Sequence, residues 1–197
     1  MIAWKFLAPG AVAPFTGVRW PVPEGGSPGA WLAGLPGPGK GVHACAAEDL
    51  PYWVAEELWE VELDDPVTRA SQQLIAPRGR LLARVQTWPA AQDAFTGACI
   101  DRTRARLVSA LAAAGYAADA ERLASEPSLD VQRDVAAAVA KSGPPVAGYL
   151  FDVIRRRPFP GLCAYIAANA AAAIGGMPAH DAECAAQVEW LAANLHL

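Results

Sequence analysis

The distribution of tryptophan and alanine divides this chain near residue 90. Six of the seven tryptophans precede that position, whereas the sequence beyond it is rich in alanine and has the spacing of successive helices. Before residue 90, short alternating runs are separated by glycine and proline, as is typical of strands and turns. The sequence therefore predicts an α+β fold. Residues 1–89 form a small mixed or antiparallel sheet, and residues 90–197 form an antiparallel helical bundle.

Composition and charge exclude several classes of protein. With 197 residues, of which 53% are hydrophobic and 18% charged, the chain is long and apolar enough to bury a core. Its net charge of −4 offers no basic face to nucleic acid, and no apolar run reaches the roughly 20 residues of a membrane span. Four cysteines at irregular spacing indicate neither a disulfide framework nor a zinc motif. We expect a cytoplasmic protein with reduced thiols and no membrane or nucleic-acid partner.

The strand candidates before residue 90 are short. The strand pattern is clearest in residues 58–63, where apolar and acidic side chains alternate along the chain. Residues 47–57 predict a short helix, and the glycine- and proline-rich residues 8–40 predict a long loop. A turn is expected at residues 77–79, between the last two of the remaining strands. Those strands are predicted over residues 2–7, 41–45, 70–76 and 79–88.

The helix candidates after residue 90 have start and stop signals. The first is predicted over residues 90–114, with a break near Gly97 and a stop at Gly115. Ser128 has the position of an N-cap for a later helix. The further helices are predicted over residues 117–125, 128–143, 144–157, 160–176 and 180–197.

The stretch "GVHAC" carries one of three histidines and one of four cysteines, His43 and Cys45. Two residues apart on a strand, their side chains point to one face. One interpretation is a thiol–imidazole pair in which the histidine lowers the pKa of the thiol. A second is half of a metal site completed by His180 and Cys184, one helical turn apart. A third is a buried cysteine beside a histidine bonded to backbone.

The order of elements resembles the catalytic core of the poly(ADP-ribose) polymerase type of ADP-ribosyltransferase, over roughly residues 1–88. A strand and a long loop lead to "GKGVHACAAEDLPYW" and then to the strand "ELWEVEL". The family has a Gly-x-Gly-hydrophobic-Tyr strand, followed by a helix ending in aromatic residues and an acidic, apolar strand. The matching positions are residues 39–43, the pair Tyr52-Trp53 and the strand from Trp59 to Leu63.

The catalytic residues of that family, histidine, tyrosine and glutamate, are replaced here. The first-strand histidine falls near Trp4-Lys5, His43 takes the place of the tyrosine, and Gln72-Gln73 falls at the glutamate. Glutamine accepts a hydrogen bond, but it has no charge with which to stabilise an oxocarbenium ion or to act as a base. The resemblance therefore implies a cleft for NAD or a similar nucleotide, with altered chemistry. Its catalytic candidates are His43 and Gln73. Its candidates for binding the cofactor are Trp4, Lys5, Gly41, Tyr52 and Trp53.

Three charged groups have both a functional and a structural interpretation. Arg78 and Arg80 flank a glycine, where they bind an anion or simply face solvent. Glu60 and Glu62 alternate on one strand face, as paired carboxylates or as a solvated edge. Residues 154–160, "IRRRPFP", are a helix end with a proline stop, or an interaction patch.

Two classes of function remain open. In the first, Trp4, Tyr52 and Trp53 stack on a flat small molecule of the nucleotide type, and the chain is an enzyme or a ligand-binding protein. In the second, the same aromatic residues are core, and a protein partner binds the surface of the helical bundle. The second class makes the chain a non-enzymatic interaction or scaffold protein.

Overall fold

The computed structural model describes residues 1–35 and 40–197. It confirms the α+β class, with 51% helix, 20% strand, antiparallel sheets in the first half and helices in the second. The chain forms two compact units. Unit 1 comprises Met1–Ala91 and Trp190–Leu197, and unit 2 comprises Gln92–Glu189. Residues 190–197, predicted as part of the helical region, therefore belong to unit 1, which thus holds all seven tryptophans of the chain.

Unit 1 contains two sheets in which every described strand pair is antiparallel, so the mixed alternative is wrong. One sheet has the order β1-β4-β7-β2 and the other β3-β6-β5. Trp4 and Cys45 exchange two backbone hydrogen bonds of 2.8 Å, which connect β1 to the end of β3. The strands are β1 Ile2–Leu7, β2 Leu32–Ala33, β3 Val42–Ala44, β4 Glu57–Leu63, β5 Thr68–Ala70, β6 Gln73–Ala76 and β7 Arg78–Arg84.

Both sheets contribute to one hydrophobic core. The alternation of β4 has the predicted effect, because Trp59, Val61 and Leu63 are buried while Glu60 and Glu62 are half-buried. The other sheet contributes apolar side chains from β3 and β6. The core consists of Ala3, Leu7, Ala11, Trp20, Val42, Ala44, Trp59, Val61, Leu63, Leu74, Ala76 and Leu81.

Four local predictions for unit 1 are wrong. The strand predicted over residues 79–88 ends at Arg84, and Trp88 begins the first helix. Residues 70–76 are not one strand, because Ser71 has a φ of 51° and forms, with Gln72, the turn of a hairpin between β5 and β6. No turn forms at residues 77–79. Pro77, which has no N–H for a sheet ladder, alone separates β6 from β7, and these strands enter different sheets. The helix predicted over residues 47–57 is a 3-10 helix, Ala47–Tyr52.

The long loop is held to the sheets in its described part, residues 8–35. Trp20 is only 3% exposed and lies in the core. The backbone amide of Gly29 donates to the carbonyl of Leu81 at 2.9 Å. A Cβ at Gly29 would lie 2.2 Å from the carbonyl oxygen of Pro21, so only glycine fits this approach. These contacts anchor the loop without long strands of its own.

Five helices follow in the described residues. The first continues through Gly97, so the predicted break is wrong, and Gly115, with a φ of 85°, follows its end as expected. The Ser128 hydroxyl accepts from the Val131 amide at 3.5 Å, which confirms the predicted N-cap. The helices are α1 Trp88–Ala113, α2 Ala117–Ser125, α3 Leu129–Val139, α4 Val146–Arg155 and α5 Pro160–Leu195.

Helix α5 folds back on itself at Gly175 and Gly176, which have non-helical backbone angles. The side-chain amide of Gln187 donates to the Ala164 carbonyl at 3.1 Å across 23 residues. In a straight helix that separation would be about 34 Å. The two segments predicted over residues 160–176 and 180–197 are therefore antiparallel arms of a helical hairpin.

By length and composition, α5 is the one helix in the described residues that is long and apolar enough to cross a membrane. The sequence predicted no such span. The fold-back interrupts it, because the first arm, residues 160–174, is about 22 Å long. A bilayer core is roughly 30 Å thick. The apolar stretch is thus divided between two packed arms.

Candidate functional site

The two predicted catalytic residues meet on the three-stranded sheet. Nδ1 of His43, on β3, lies 2.9 Å from Oε1 of Gln73, on β6, although the residues are 30 apart in sequence. The antiparallel register, which pairs Ala44 with Leu74, brings them together. Both side chains are half-buried. With the amide oxygen as acceptor, Nδ1 carries the proton and Nε2 is the acceptor nitrogen of the neutral imidazole.

Lys5 approaches the same strand from β1. Its ammonium group donates to the backbone carbonyl of His43 and lies 5.1 Å from the centre of the Trp20 ring. No described carboxylate forms an ion pair with it. Burial lowers the pKa of Lys5 to about 8, although the neighbouring Cys45 opposes the shift. Lys5 therefore holds β3 in place as a weakly solvated cation.

Cys45 does not have the environment of a nucleophile. Its thiol donates to the Trp4 carbonyl at 3.4 Å, and the residue is 2% exposed. Burial raises the pKa of this thiol to about 12; Asp49 raises it further, and Lys5 lowers it. An activated thiol has a lowered pKa. The geometry therefore favours the third interpretation of "GVHAC" for Cys45, a packed small residue, whereas His43 bonds to a side chain rather than to backbone.

The predicted aromatic residues lie beside this pair. The indole N–H of Trp53 donates to the Gln72 carbonyl at 2.6 Å, next to Gln73 in sequence. Trp53 also makes an edge-on contact with Phe15, at 6.3 Å between ring centres. Tyr52 is 42% exposed at the end of the 3-10 helix. Phe15 is 86% exposed, so this aromatic group presents apolar surface to solvent.

Gly41 has a structural reason to be glycine. Its φ is 151°, and an added Cβ would lie 2.6 Å from the carbonyl oxygen of Ala76. Gly34 approaches it closely as well, because a Cβ there would lie 2.3 Å from the Gly41 backbone. Gly39, the first glycine of the motif, lies outside the described residues. The position of Gly41 thus follows from close packing of β3 on β6.

Three of the charged side chains that the sequence singled out in unit 1, Arg78, Arg80 and Glu62, form ion pairs. Arg78 and Arg80 lie on β7 rather than in a turn, and their guanidinium groups are 5.0 and 4.7 Å from the centre of the Trp31 ring. Arg78 pairs with Asp64 at 2.6 Å, and Arg80 pairs with Glu62 at 2.6 Å. An anion site at the two arginines and a carboxylate pair at Glu60 and Glu62 are therefore both disfavoured.

No group of three metal-ligating side chains occurs among the described residues. His180 and Cys184 lie one turn apart on the second arm of α5, with Nδ1 and Sγ 3.8 Å apart. They belong to unit 2, whereas His43 and Cys45 belong to unit 1.

Glu57 and Trp20 are important residues of unit 1 that the sequence did not single out. The Glu57 carboxylate accepts from the amides of Gly10 and Ala11, both at 3.1 Å, and from the Trp59 indole at 3.0 Å. Nothing local marks Glu57, which the sequence placed at the end of a helix. Trp20 had a signal, since a large aromatic residue inside a glycine- and proline-rich loop is typical of an anchor.

The chain matches no protein-family model, no curated protein and no solved structure. The resemblance to ADP-ribosyltransferases therefore stays a prediction, and the site is argued below from its own geometry.

The buried position of Lys5 gives a prediction for stability against pH. Because its folded pKa of about 8 lies below the ordinary 10.5, the folded protein binds fewer protons between these values. The contribution of Lys5 to stability should therefore rise with pH across that range. The buried thiols of Cys45, Cys99 and Cys163, whose pKa is raised to about 12, instead lower stability above the ordinary thiol pKa of 9.0. At about 1.4 kcal/mol per pH unit, the interval from about 8 to 10.5 limits the contribution of Lys5 to about 3.5 kcal/mol, and it is less because Lys5 is partly exposed.

Urea unfolding followed by tryptophan fluorescence measures stability at each pH, since all tryptophans lie in unit 1. The stability of wild type minus that of Lys5→Met should rise from about pH 8 to pH 10.5, whereas the difference between wild type and the control Lys141→Met, at an exposed position, should stay constant. Equal pH dependence in wild type and Lys5→Met would contradict the assignment.

Proposed function

We propose that unit 1 binds a nucleotide-type ligand of the NAD class at the face formed by His43 and Gln73. The observation that carries the proposal is the 2.9 Å hydrogen bond between these side chains. It leaves Nε2 of His43 and the amide NH₂ of Gln73 as an acceptor and a donor beside one another. A carboxamide or a nucleobase edge presents the complementary groups.

The aromatic residues support a flat ligand. Trp53 is tied to the hairpin that carries Gln73, and the neighbouring Tyr52 is 42% exposed. An indole or phenol ring stacks on a planar heterocycle and adds about 0.5–1.5 kcal/mol beyond the area it buries. Trp4 pairs with Cys45 through the backbone, so it lies at the same end of β3.

The residues of the site suit the binding of a ligand better than a transfer of ADP-ribose, which depends on a glutamate. Gln73 accepts a hydrogen bond from a ribose hydroxyl, but it has no charge with which to stabilise a developing cation. The Cys45 thiol, with a pKa of about 12, supplies no nucleophile. His43 is the remaining group in the pair able to accept a proton from a bound ligand.

Thermal unfolding of the full chain with NAD, ADP-ribose, AMP or nicotinamide tests the proposal. A ligand at 100 times its dissociation constant stabilises by about 2.7 kcal/mol, which raises Tm by several degrees. His43→Ala should abolish the shift, and His180→Ala, which removes a histidine from unit 2, should keep it. The absence of a shift with all four compounds, or an undiminished shift in His43→Ala, would refute the proposal.

A second assay separates binding from chemistry. Nicotinamide release from NAD should be absent in wild type. Gln73→Glu supplies the missing carboxylate at the position that the resemblance aligns with the family's glutamate. Release by Gln73→Glu alone would extend the proposal to an ADP-ribosyltransferase-like site, whereas NAD binding without release by either protein would limit it to binding.

Protein interaction through unit 2 is a second candidate function, favoured by exposed apolar residues on the first arm of α5 and at its turn. Leu162, Tyr165, Ile174 and Met177 are 43%, 66%, 54% and 61% exposed. Exposed apolar residues concentrated on one element mark contact surfaces. Self-association that Leu162→Glu abolishes, together with no ligand-dependent thermal shift, would favour this candidate over the first.

A further inference from the structure

A cleft of about 520 Å³, largely open to solvent, lies along α1 within unit 2. One wall is a face of α1 that runs from Arg102 to Ala113, about 16 Å in length. Ile174, at the end of the first arm of α5, lies at the other side and is 54% exposed. This volume is within the range of small-molecule sites in proteins.

One end of the cleft is charged. Arg102 and Arg106 both contact Glu183, at 2.9 and 2.6 Å, and each arginine side chain is 25% exposed. Glu183 is fully buried, and it also accepts from Gln187 at 2.9 Å. Two cations thus share one carboxylate, and the cluster carries one surplus positive charge beside the cleft.

The hydrogen bonds of Arg106 are incomplete. Its Nη2 donates to Glu183, whereas Nη1 is buried and has no hydrogen-bond partner in the described part of the chain. A buried donor without a partner costs free energy, and more so on a charged group. An anionic oxygen at this end of the cleft would meet the surplus charge of the two arginines, and a guanidinium rotation that exposes Nη1 would let it accept from that donor as well.

The opposite end is apolar. Ala110 and Ala113 project methyl groups from α1 beyond the arginines, and Ile174 adds a larger aliphatic side chain. Ser109 contributes the one hydroxyl of the lining. A ligand that fills the cleft therefore needs an anionic group at one end and a hydrocarbon body at the other. A fully polar anion would leave the apolar side chains in contact with water.

We propose that this cleft binds a single-chain amphiphilic anion, with its carboxylate or phosphate at Arg102 and Arg106 and its hydrocarbon chain along Ala110, Ala113 and Ile174. The site lies wholly within unit 2 and is independent of the ligand proposed for unit 1.

Isothermal titration calorimetry of the full chain with decanoate, below its micelle concentration, tests the site. We expect saturable binding at one site per chain. Decyl phosphate should bind too, and its affinity relative to decanoate shows which head group the arginines prefer. Decanol and decyltrimethylammonium, which lack the negative charge, should bind at least tenfold more weakly.

Two variants act on the two ends of the cleft. Arg106→Gln should weaken decanoate binding about tenfold by removing the charge. Ala110→Phe fills the apolar end and should abolish binding while leaving Arg106 and Glu183 in place. It therefore tests the site even if Arg106→Gln does not fold. Arg133→Gln is the control, because Arg133 pairs with exposed carboxylates on α3 and does not line the cleft.

Three results would overturn the proposal. One is the absence of binding by both decanoate and decyl phosphate. Another is equal binding of the cationic or neutral decyl compounds, which would show an apolar surface without charge selection. The third is undiminished decanoate affinity in folded Ala110→Phe.

Discussion

Glu183→Ala should lower the free energy of unfolding by about 3 kcal/mol, because it leaves two arginines without their shared carboxylate. Glu183 is fully buried, whereas Arg102 and Arg106 keep 25% of their side-chain surface, so water relieves part of the penalty. Gln187 loses one acceptor as well. The substitution also opens a cavity among the helices, which adds to the cost.

Urea unfolding followed by far-ultraviolet circular dichroism measures this effect, since most of the helix lies in unit 2. The matched control is Asp134→Ala, whose carboxylate is 70% exposed and pairs with Arg133, and which should change stability by less than about 0.5 kcal/mol. A loss below about 1 kcal/mol in Glu183→Ala would contradict the prediction.

A triple variant separates unpaired charge from lost packing. Arg102→Met, Arg106→Met and Glu183→Leu together remove all three charges and keep similar side-chain volume. Replacing a buried ion group by apolar residues is often neutral or stabilising. We therefore expect the triple variant to unfold near the wild-type urea midpoint. A loss as large as that of Glu183→Ala would mean that the charges themselves stabilise the bundle.

Glu57→Ala should destabilise unit 1 by about 3 kcal/mol or more, because one carboxylate fastens the long loop to β4. Its loss leaves the Gly10 and Ala11 amides and the Trp59 indole without an acceptor. It also unpairs Arg84, whose guanidinium lies 3.3 Å from the carboxylate. Ala11, with a φ of 58°, keeps an unfavourable backbone conformation that these bonds stabilise.

Tryptophan fluorescence during urea unfolding reports this change, because Trp20 and Trp59 lie in the core that the loop covers. The control is Glu60→Ala on the same strand, where the side chain is half-buried and outside this network; a change within about 0.5 kcal/mol is expected there. Equal effects of the two substitutions would contradict the role of Glu57.

The Glu57 carboxylate also makes the free energy of unfolding depend on pH in the acid range. Burial acts to raise the pKa of Glu57, but the hydrogen bonds from Trp59, Gly10 and Ala11 and the charge of Arg84 outweigh it, so the folded pKa is lowered. The unfolded chain then binds the proton more readily, and the stabilisation is present above the ordinary glutamate pKa. It is lost as pH falls through the folded pKa. Glu57→Gln should lack this component of the acid dependence.

Local patterns were sufficient for much of the architecture. The strand at residues 58–63, the Ser128 cap and the stops at Gly115 and Gly175-Gly176 were all predicted, because each depends on residues within a few positions. The predictions failed where contacts with a neighbouring element determine the local structure. Ser71 and Gln72 turn because β5 and β6 pair, and Pro77 separates two sheets instead of closing a hairpin between them.

In the candidate site, too, local sequence predicted the residue types, whereas tertiary contacts decided their surroundings. The residue types at His43, Gln73 and Trp53 were singled out from element order, and the register between β3 and β6 places the first two in hydrogen-bond contact. The state of Cys45 was left open, because neither burial nor the neighbouring Trp4 carbonyl is visible in "GVHAC". Glu57 was missed for a similar reason, since its partners Gly10 and Ala11 are more than 40 residues away.

By itself, the sequence determined the α+β class, a tryptophan-rich first part and a helical second part, because hydrophobic period, capping residues and glycine act over short distances. Only the tertiary structure decided which groups meet: His43 with Gln73, Lys5 with Trp20, and Glu183 with two arginines. The physical reason is that burial, pKa and charge balance depend on contacts between residues 15 to 81 positions apart, which no local pattern records.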